Sequence, residues 1–151
     1  MSKGNISILG AGLVGSLLSI LLKKRGYNVT IFESRTDNRK SGGIGGRSIN
    51  LALSHRGLKA LELAGIKDTI QESCIPMPGR MIHDLEGNLD FQAYGKEGQY
   101  INSVSRGGLN ELLIKQAEEH GVEIRFEHKC TGIDFDTATA HFSNGNSVSA
   151  D

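Results

Sequence analysis

The glycines and the acid near the N-terminus carry the clearest chemistry. Gly10-Ala11-Gly12-Leu13-Val14-Gly15 follows a short apolar run (Ile6, Ile8, Leu9) and precedes a helix-period run (Leu17, Leu18, Leu21, Leu22). A second β-rich run, Val29, Ile31 and Phe32, ends at Glu33, 18 residues beyond Gly15. Strand, glycine turn, helix, strand and acid in that order describe a dinucleotide-binding βαβ unit. Gly10 permits the tight turn, Gly12 lets a pyrophosphate approach the backbone, and Gly15 lets the helix pack close to the strand. The first N–H groups of the helix then face the phosphates, with the positive end of its dipole behind them. Glu33 is placed to accept hydrogen bonds from an adenosine ribose and opposes a 2′-phosphate, so the ligand reads as FAD or NAD rather than NADP.

Two further positions bear charge where chemistry can use it. Arg80-Met81-Ile82-His83-Asp84-Leu85 and Leu89-Asp90-Phe91-Gln92-Ala93-Tyr94 alternate with period two around Glu86-Gly87-Asn88, as an antiparallel hairpin does. A three-residue loop at Glu86–Asn88 sets Leu85 against Leu89 and Arg80 directly against Tyr94, with Cβ atoms roughly 5 Å apart. A guanidinium beside a phenol is a clamp for a carboxylate; a cross-strand pair on a solvated face is the plainer reading. Arg106 heads a helix carrying Leu109, Leu112, Leu113 and Ala117, closed by Gly121. The dipole disfavours a cation there, and an anion shared with the helix N–H groups would account for it.

The remaining elements position these groups. Ser34–Arg47, with Gly42-Gly43 and Gly45-Gly46, reads as a mobile crossing. An extended piece over Arg47–Leu53 leads to a helix capped by Ser54, carrying Leu58, Leu61 and Leu63 to Gly65. A helical turn or two spans Ile66–Cys74, and Pro76 and Pro78 end it. Tyr100–Val104 is extended, Val122–Phe126 is the third strand of the nucleotide sheet, and Lys129–Ala150 is a β-meander whose last turn is Asn144-Gly145. The domain boundaries expected are 1–74 for the nucleotide-binding βαβ unit and following helices, 75–104 for the hairpin and 105–151 for the return to the first domain.

Composition excludes several classes. With 151 residues there is room for one modest core, and 17 basic against 17 acidic residues give zero net charge, so no basic face speaks for nucleic acid. Cys74 and Cys130 form no CxxC pair, and the five histidines show no metal-ligand spacing. The run Leu13–Leu22 is too short to span a membrane. The last residues read as a strand rather than a polar tail, and a doubly wound sheet needs more strands than are present. The chain is therefore expected to be part of a longer protein.

Three later segments are more specific than the glycine turn. GRSINLALSHRGLKAL (46–61), IPMPGRMIHDLEGN (75–88) and QYINSVSRGGLNELL (99–113) resemble the kynurenine 3-monooxygenase family of FAD-dependent aromatic hydroxylases. The resemblance runs from about Ile6 to Phe126 and loosens beyond. It implies an α/β, Rossmann-like FAD-binding domain with a hairpin inserted from a substrate domain, incomplete relative to the family. It further implies hydroxylation of L-kynurenine at ring position 3 with NADPH and dioxygen, through a C4a-hydroperoxyflavin, with no side chain acting as acid or base in oxygen transfer.

By the same resemblance Gly10, Gly12, Leu13, Val14 and Gly15 cradle the FAD pyrophosphate, and Glu33, Ser34 and Arg35 surround the adenosine. Ala52 lies near the flavin, Arg106 reaches the phosphates, Cys130 faces the adenine side, and Arg80 with Tyr94 holds the substrate carboxylate. A bacterial member would be cytoplasmic, and a eukaryotic one would be anchored in the mitochondrial outer membrane by a later segment. By the resemblance, the chain ends before the Asp-Gly motif that the family uses near both cofactors and lacks the later Gly-Asp motif that contacts the FAD ribityl chain, so these residues should not turn over alone. Two other readings stay open at this point: an NAD-linked reductase that keeps no flavin, and a nucleotide-binding module without turnover.

Overall fold

The computed structural model describes residues 2–37, 39–40 and 49–151. The glycine pairs expected to form a mobile crossing lie outside these residues. The chain divides into two compact units, one of residues 1–47 with 107–151 and one of residues 48–106.

In the first unit β1 (Asn5–Leu9), α1 (Leu13–Lys24) and β2 (Asn28–Phe32) form the βαβ unit. β1 and β2 are parallel, in register from Asn5 with Asn28 to Leu9 with Phe32. β8 (Glu123–Arg125) adds to the other edge of β2, also parallel, which is the third strand expected. Val29, Ile31 and Phe32 are buried, as β-branched and aromatic residues are in a covered parallel strand.

The helix-period leucines do not form the innermost face of α1. Ser16, Ser19 and Ile20 do, and Leu18 remains 41% exposed. The reason is distance. A Cβ on Gly15 would lie 2.0 Å from the Gly10 carbonyl oxygen, so the helix crosses β1 too closely for large side chains. The two serines satisfy themselves locally, Ser16 donating to the Ala11 carbonyl at 3.3 Å and Ser19 to the Ser16 carbonyl at 2.7 Å.

The unit is completed by α4 (Arg106–Glu119), whose Leu109, Leu113, Ile114 and Ala117 are buried, and by the meander β9 (Cys130–Asp134), β10 (Thr139–Phe142) and β11 (Ser147–Ser149). Phe32 and Phe142 stack at 4.7 Å, and His128 meets both rings edge-on or tilted at 5.4 and 5.7 Å. Ala140, Cys130 and Val148 complete this cluster behind the end of β2.

The second unit contains a sheet ordered β3 (Asn50–Leu53), β7 (Ile101–Ser105), β4 (Ile75–Met77), all antiparallel neighbours. β4 contains Pro76, which as a helix terminator hid the strand from the sequence; proline is tolerated because β4 is an edge. α2 (His55–Ala64) ends at Gly65 in the left-handed conformation, φ 78°, as expected. Ser54 stands at its N-cap, yet its hydroxyl makes no capping bond. Leu61 and Ala64 are buried while Leu63 is 66% exposed, so the inward face is rotated from the one expected. The short α3 (Lys67–Gln71) follows.

The hairpin β5 (Gly79–His83) and β6 (Leu89–Ala93) is present, but its register differs from the expected one. Arg80 pairs with Gln92, Met81 with Phe91 and His83 with Leu89. Tyr94 instead donates its N–H to the Pro78 carbonyl at 2.9 Å. The three-residue loop is Leu85-Glu86-Gly87, one position earlier than read. Gly87 has φ 87°, the left-handed conformation that the third loop residue of such a hairpin requires. Asp84 then locks the turn, one carboxylate oxygen accepting from the Glu86 and Asn88 N–H groups at 2.9 and 2.8 Å and the other from the Asn88 side chain at 2.8 Å. On the opposite face the Phe91 ring lies over Gly79, where a Cβ would come within 2.5 Å of it.

Candidate functional site

The glycine turn has the geometry of a phosphate cradle. Gly10 has φ 107° and donates its N–H to the Phe32 carbonyl at 2.8 Å, tying the turn to the end of β2. Gly12 is the N-cap of α1, with φ −75° and ψ −179°, and no side chain caps the helix. A Cβ at Gly12 would meet nothing within 4 Å, so the approach to the backbone is open. Leu13 and Val14 form the first turn, where helix geometry leaves N–H groups without intrahelical partners; Val14 is 79% exposed. An uncapped helix start behind a bare glycine backbone is a site for a diphosphate.

Glu33 is joined to that turn. Its Oε2 accepts from the Ala11 N–H at 2.8 Å, and its Oε1 accepts from the Arg35 N–H at 2.9 Å and the Ser34 hydroxyl at 3.2 Å. Oε1 has both lone-pair sites taken while Oε2 keeps one, so the carboxylate can receive a ribose hydroxyl at Oε2 while holding the turn. The Ala11 donor was not foreseen from the sequence. The strand end is fixed from the far side: Glu33 N–H donates to Arg125 O at 2.8 Å, His128 N–H to Glu33 O at 2.8 Å, and Glu127 N–H to Arg35 O at 3.1 Å. Cys130 lies half-buried in β9, its thiol 3.4 Å from the Gly132 carbonyl.

Arg39 closes this segment. It forms two 2.8 Å bonds to Asp37, a second fork to Glu118 on α4, including 3.0 Å from Nη2 to Oε1, and lies over the Phe126 ring at 5.8 Å. The hydrogen bond to the guanidinium holds the Asp37 carboxyl below the usual carboxylate range, and the two acids push the Arg39 pKa up. No sequence signal joins Arg39 to Glu118, 79 residues apart.

In the second unit Ala52 is an exposed residue of β3, and Arg106, also exposed, donates its N–H to the Ile49 carbonyl at 2.9 Å. Arg80 and Tyr94 are not directly opposed. With Arg80 paired to Gln92, Tyr94 stands two residues further along the same face, a diagonal separation of roughly 7–8 Å that long side chains can bridge. The residue the sequence reading missed is Gln92, whose Oε1 accepts from Arg80 Nε at 2.7 Å. Among the described residues no group of three or more His, Cys, Asp and Glu is arranged to hold a metal ion, and no helix is long and apolar enough to cross a membrane.

Parallel βαβ topology, a glycine turn open at Gly12 and an acid at the end of β2 define a dinucleotide-binding domain, and the family model for an FAD binding domain matches residues 3–149. The chain belongs to that family. Within it, the chain is 54% identical over 131 residues to a kynurenine 3-monooxygenase of Cytophaga hutchinsonii and 50% identical over 135 residues to one of Myxococcus xanthus, covering 85% and 88% of this chain. It spans 29% of the length of each of these relatives. Among solved structures, the 2-methyl-3-hydroxypyridine-5-carboxylic acid oxygenase is similar with a TM-score of 0.81 at 20% identity, over 97% of this chain and 37% of that one. The p-nitrophenol 4-monooxygenase of Pseudomonas putida gives 0.77 at 22% identity, over 97% and 38%. The fold is that of the aromatic hydroxylases, of which the chain comprises a part.

Proposed function

We propose that these residues form the adenosine half of the FAD site and one wall of the substrate site in an NADPH-using monooxygenase that converts L-kynurenine to 3-hydroxykynurenine. The identity to named relatives over 85% of the chain carries this reading. Gly10, Gly12, Leu13, Val14 and Gly15 would hold the pyrophosphate on backbone amides. Glu33, with Ser34 and Arg35, would hold the ribose side, and Cys130 would lie toward the adenine. Arg106 would reach the phosphates and Ala52 the flavin. When bound, FAD supplies the activation of dioxygen, and NADPH supplies the electrons.

The chain's own residues bind and orient. A guanidinium and a phenol on one hairpin face grip the amino-acid carboxylate of the substrate, which fixes how far its aromatic ring extends from that face. Distance control of this kind is worth many powers of ten in rate when the reacting atoms are held close. The aniline nitrogen of kynurenine already directs electrons to the ring carbon beside it, so no side chain is needed to activate the substrate.

The test is made on the full-length protein. It should purify yellow with FAD, and its NADPH oxidation should rise on adding L-kynurenine and yield a product heavier by one oxygen atom. A colourless protein that reduces a substrate with NADH would identify an NAD-linked reductase instead. A protein that binds the nucleotide and turns over neither would identify a binding module.

A further inference from the structure

Arg80 Nε–H is already committed, to Gln92 Oε1 at 2.7 Å. A guanidinium carries five N–H donors in a rigid plane, so this bond leaves the four on its two terminal nitrogens. Two of them, one on each terminal nitrogen, form the end edge that matches a carboxylate with two parallel hydrogen bonds. The partner at Nε also fixes rotation of the plane about its last single bond. Both residues are exposed, and no protein acid lies within ion-pair distance of Arg80 among the described residues. A neutral acceptor therefore holds the guanidinium, and Asp90, on the same face and diagonal to Arg80 across the ladder, forms no ion pair with it.

We propose that Gln92 is a positioning residue of the substrate clamp: by accepting from Arg80 Nε it presents the terminal edge of the guanidinium, with its full charge, to a ligand carboxylate. This rests on the reading of Arg80 and Tyr94 as that clamp. Gln92 stands directly across from Arg80, and Tyr94, whose N–H donates to the Pro78 carbonyl at 2.9 Å, follows two residues further on the same face, so the amide adjoins both gripping groups. The choice of glutamine is chemical as well as steric. Glutamate would hold Nε equally but would cancel the positive charge that draws the ligand, and leucine would fill the space without holding anything.

The experiment is steady-state kinetics on the full-length flavoprotein with two substrates, L-kynurenine and kynuramine, which lacks the carboxylate. Gln92→Leu should raise KM for L-kynurenine about five- to tenfold with kcat within twofold, and should leave KM for kynuramine unchanged. Adding it to Arg80→Ala should have no further effect, because the group it orients is gone. Gln92→Glu should also raise KM for L-kynurenine alone. If Gln92→Leu leaves KM for L-kynurenine within twofold while Arg80→Ala raises it, the inference is overturned and the clamp stands. If Arg80→Ala leaves it unchanged too, the clamp itself falls. An equal rise for both substrates would mean that Gln92 only supports the hairpin, and would also overturn the inference.

Discussion

The backbone N–H of Ala11 donates to the Glu33 carboxylate at 2.8 Å, so the glycine turn and the acid at the end of β2 are one hydrogen-bonded unit before any nucleotide arrives. Glu33→Ala removes an acceptor for Ala11, Ser34 and Arg35 as well as for the ribose. A bond to a charged group is worth about 1.5–3 kcal/mol, so FAD affinity of the full-length protein should fall roughly ten- to a hundredfold. Hydrogen exchange at Ala11 should quicken in the nucleotide-free protein, and slow exchange there would contradict the linkage.

Gly15 is set by sterics alone. Its Cβ would lie 2.0 Å from a backbone oxygen that cannot rotate away. Gly15→Ala must push α1 from β1, costing about 3 kcal/mol, at the upper end of ordinary overpacking. Thermal melting should show the loss, and titration with FAD should show weakened binding. Gly12→Ala meets nothing within 4 Å, so it should leave the melting temperature nearly unchanged and weaken FAD binding.

Arg80→Ala should raise KM for L-kynurenine strongly, by about 2–5 kcal/mol if the pair with the substrate carboxylate is desolvated. Initial rates across substrate concentration in the full-length enzyme test this.

The Arg39 network should matter for stability in a salt-dependent way. The guanidinium is 26% exposed and Glu118 41% exposed, so solvent screens much of the attraction. Arg39→Ala should cost about 1 kcal/mol, less in high salt. Arg39→Lys should not restore the loss, because an ammonium cannot form both forks. Chemical denaturation of wild type and both variants in low and high salt would decide.

The hairpin turn should loosen in acid. Hydrogen bonds from the Asn88 side chain and backbone hold the Asp84 carboxyl below its ordinary value. A depressed acid stabilises the folded turn above its unfolded pKa, about 3.9, and that contribution is lost as pH falls through the lowered value. Protection of the Asn88 N–H, read as its exchange rate relative to the intrinsic rate at each pH, should therefore be present at neutral pH and lost below about pH 4; in Asp84→Ala it should be absent throughout.

Local patterns made much of this legible. Apolar alternation, the glycine spacing and Gly65 gave the βαβ unit, β8 and α2, because each depends on residues near in sequence. The hairpin misreading had a local remedy as well: Gly87 belongs at the left-handed third loop position, which moves the pairing by one residue on each strand and exposes Gln92. β4 was hidden because Pro76 breaks helices and central strands alike, and only its edge position makes it admissible. The fork from Arg39 to Glu118 could not be read, since nothing short of the fold brings those residues together.

Gly79 gives the hairpin two independent sides. With the Phe91 ring folded across it, Met81, Leu89 and Phe91 keep to one surface with His83, while Arg80, Gln92 and Tyr94 share the other with Ile82 and Asp90. Strand alternation separates them, so, on the proposed reading of Arg80 and Tyr94 as a clamp, a lineage could change the acid gripped there without disturbing the other surface. Selectivity and packing can drift separately on a ribbon of about fifteen residues.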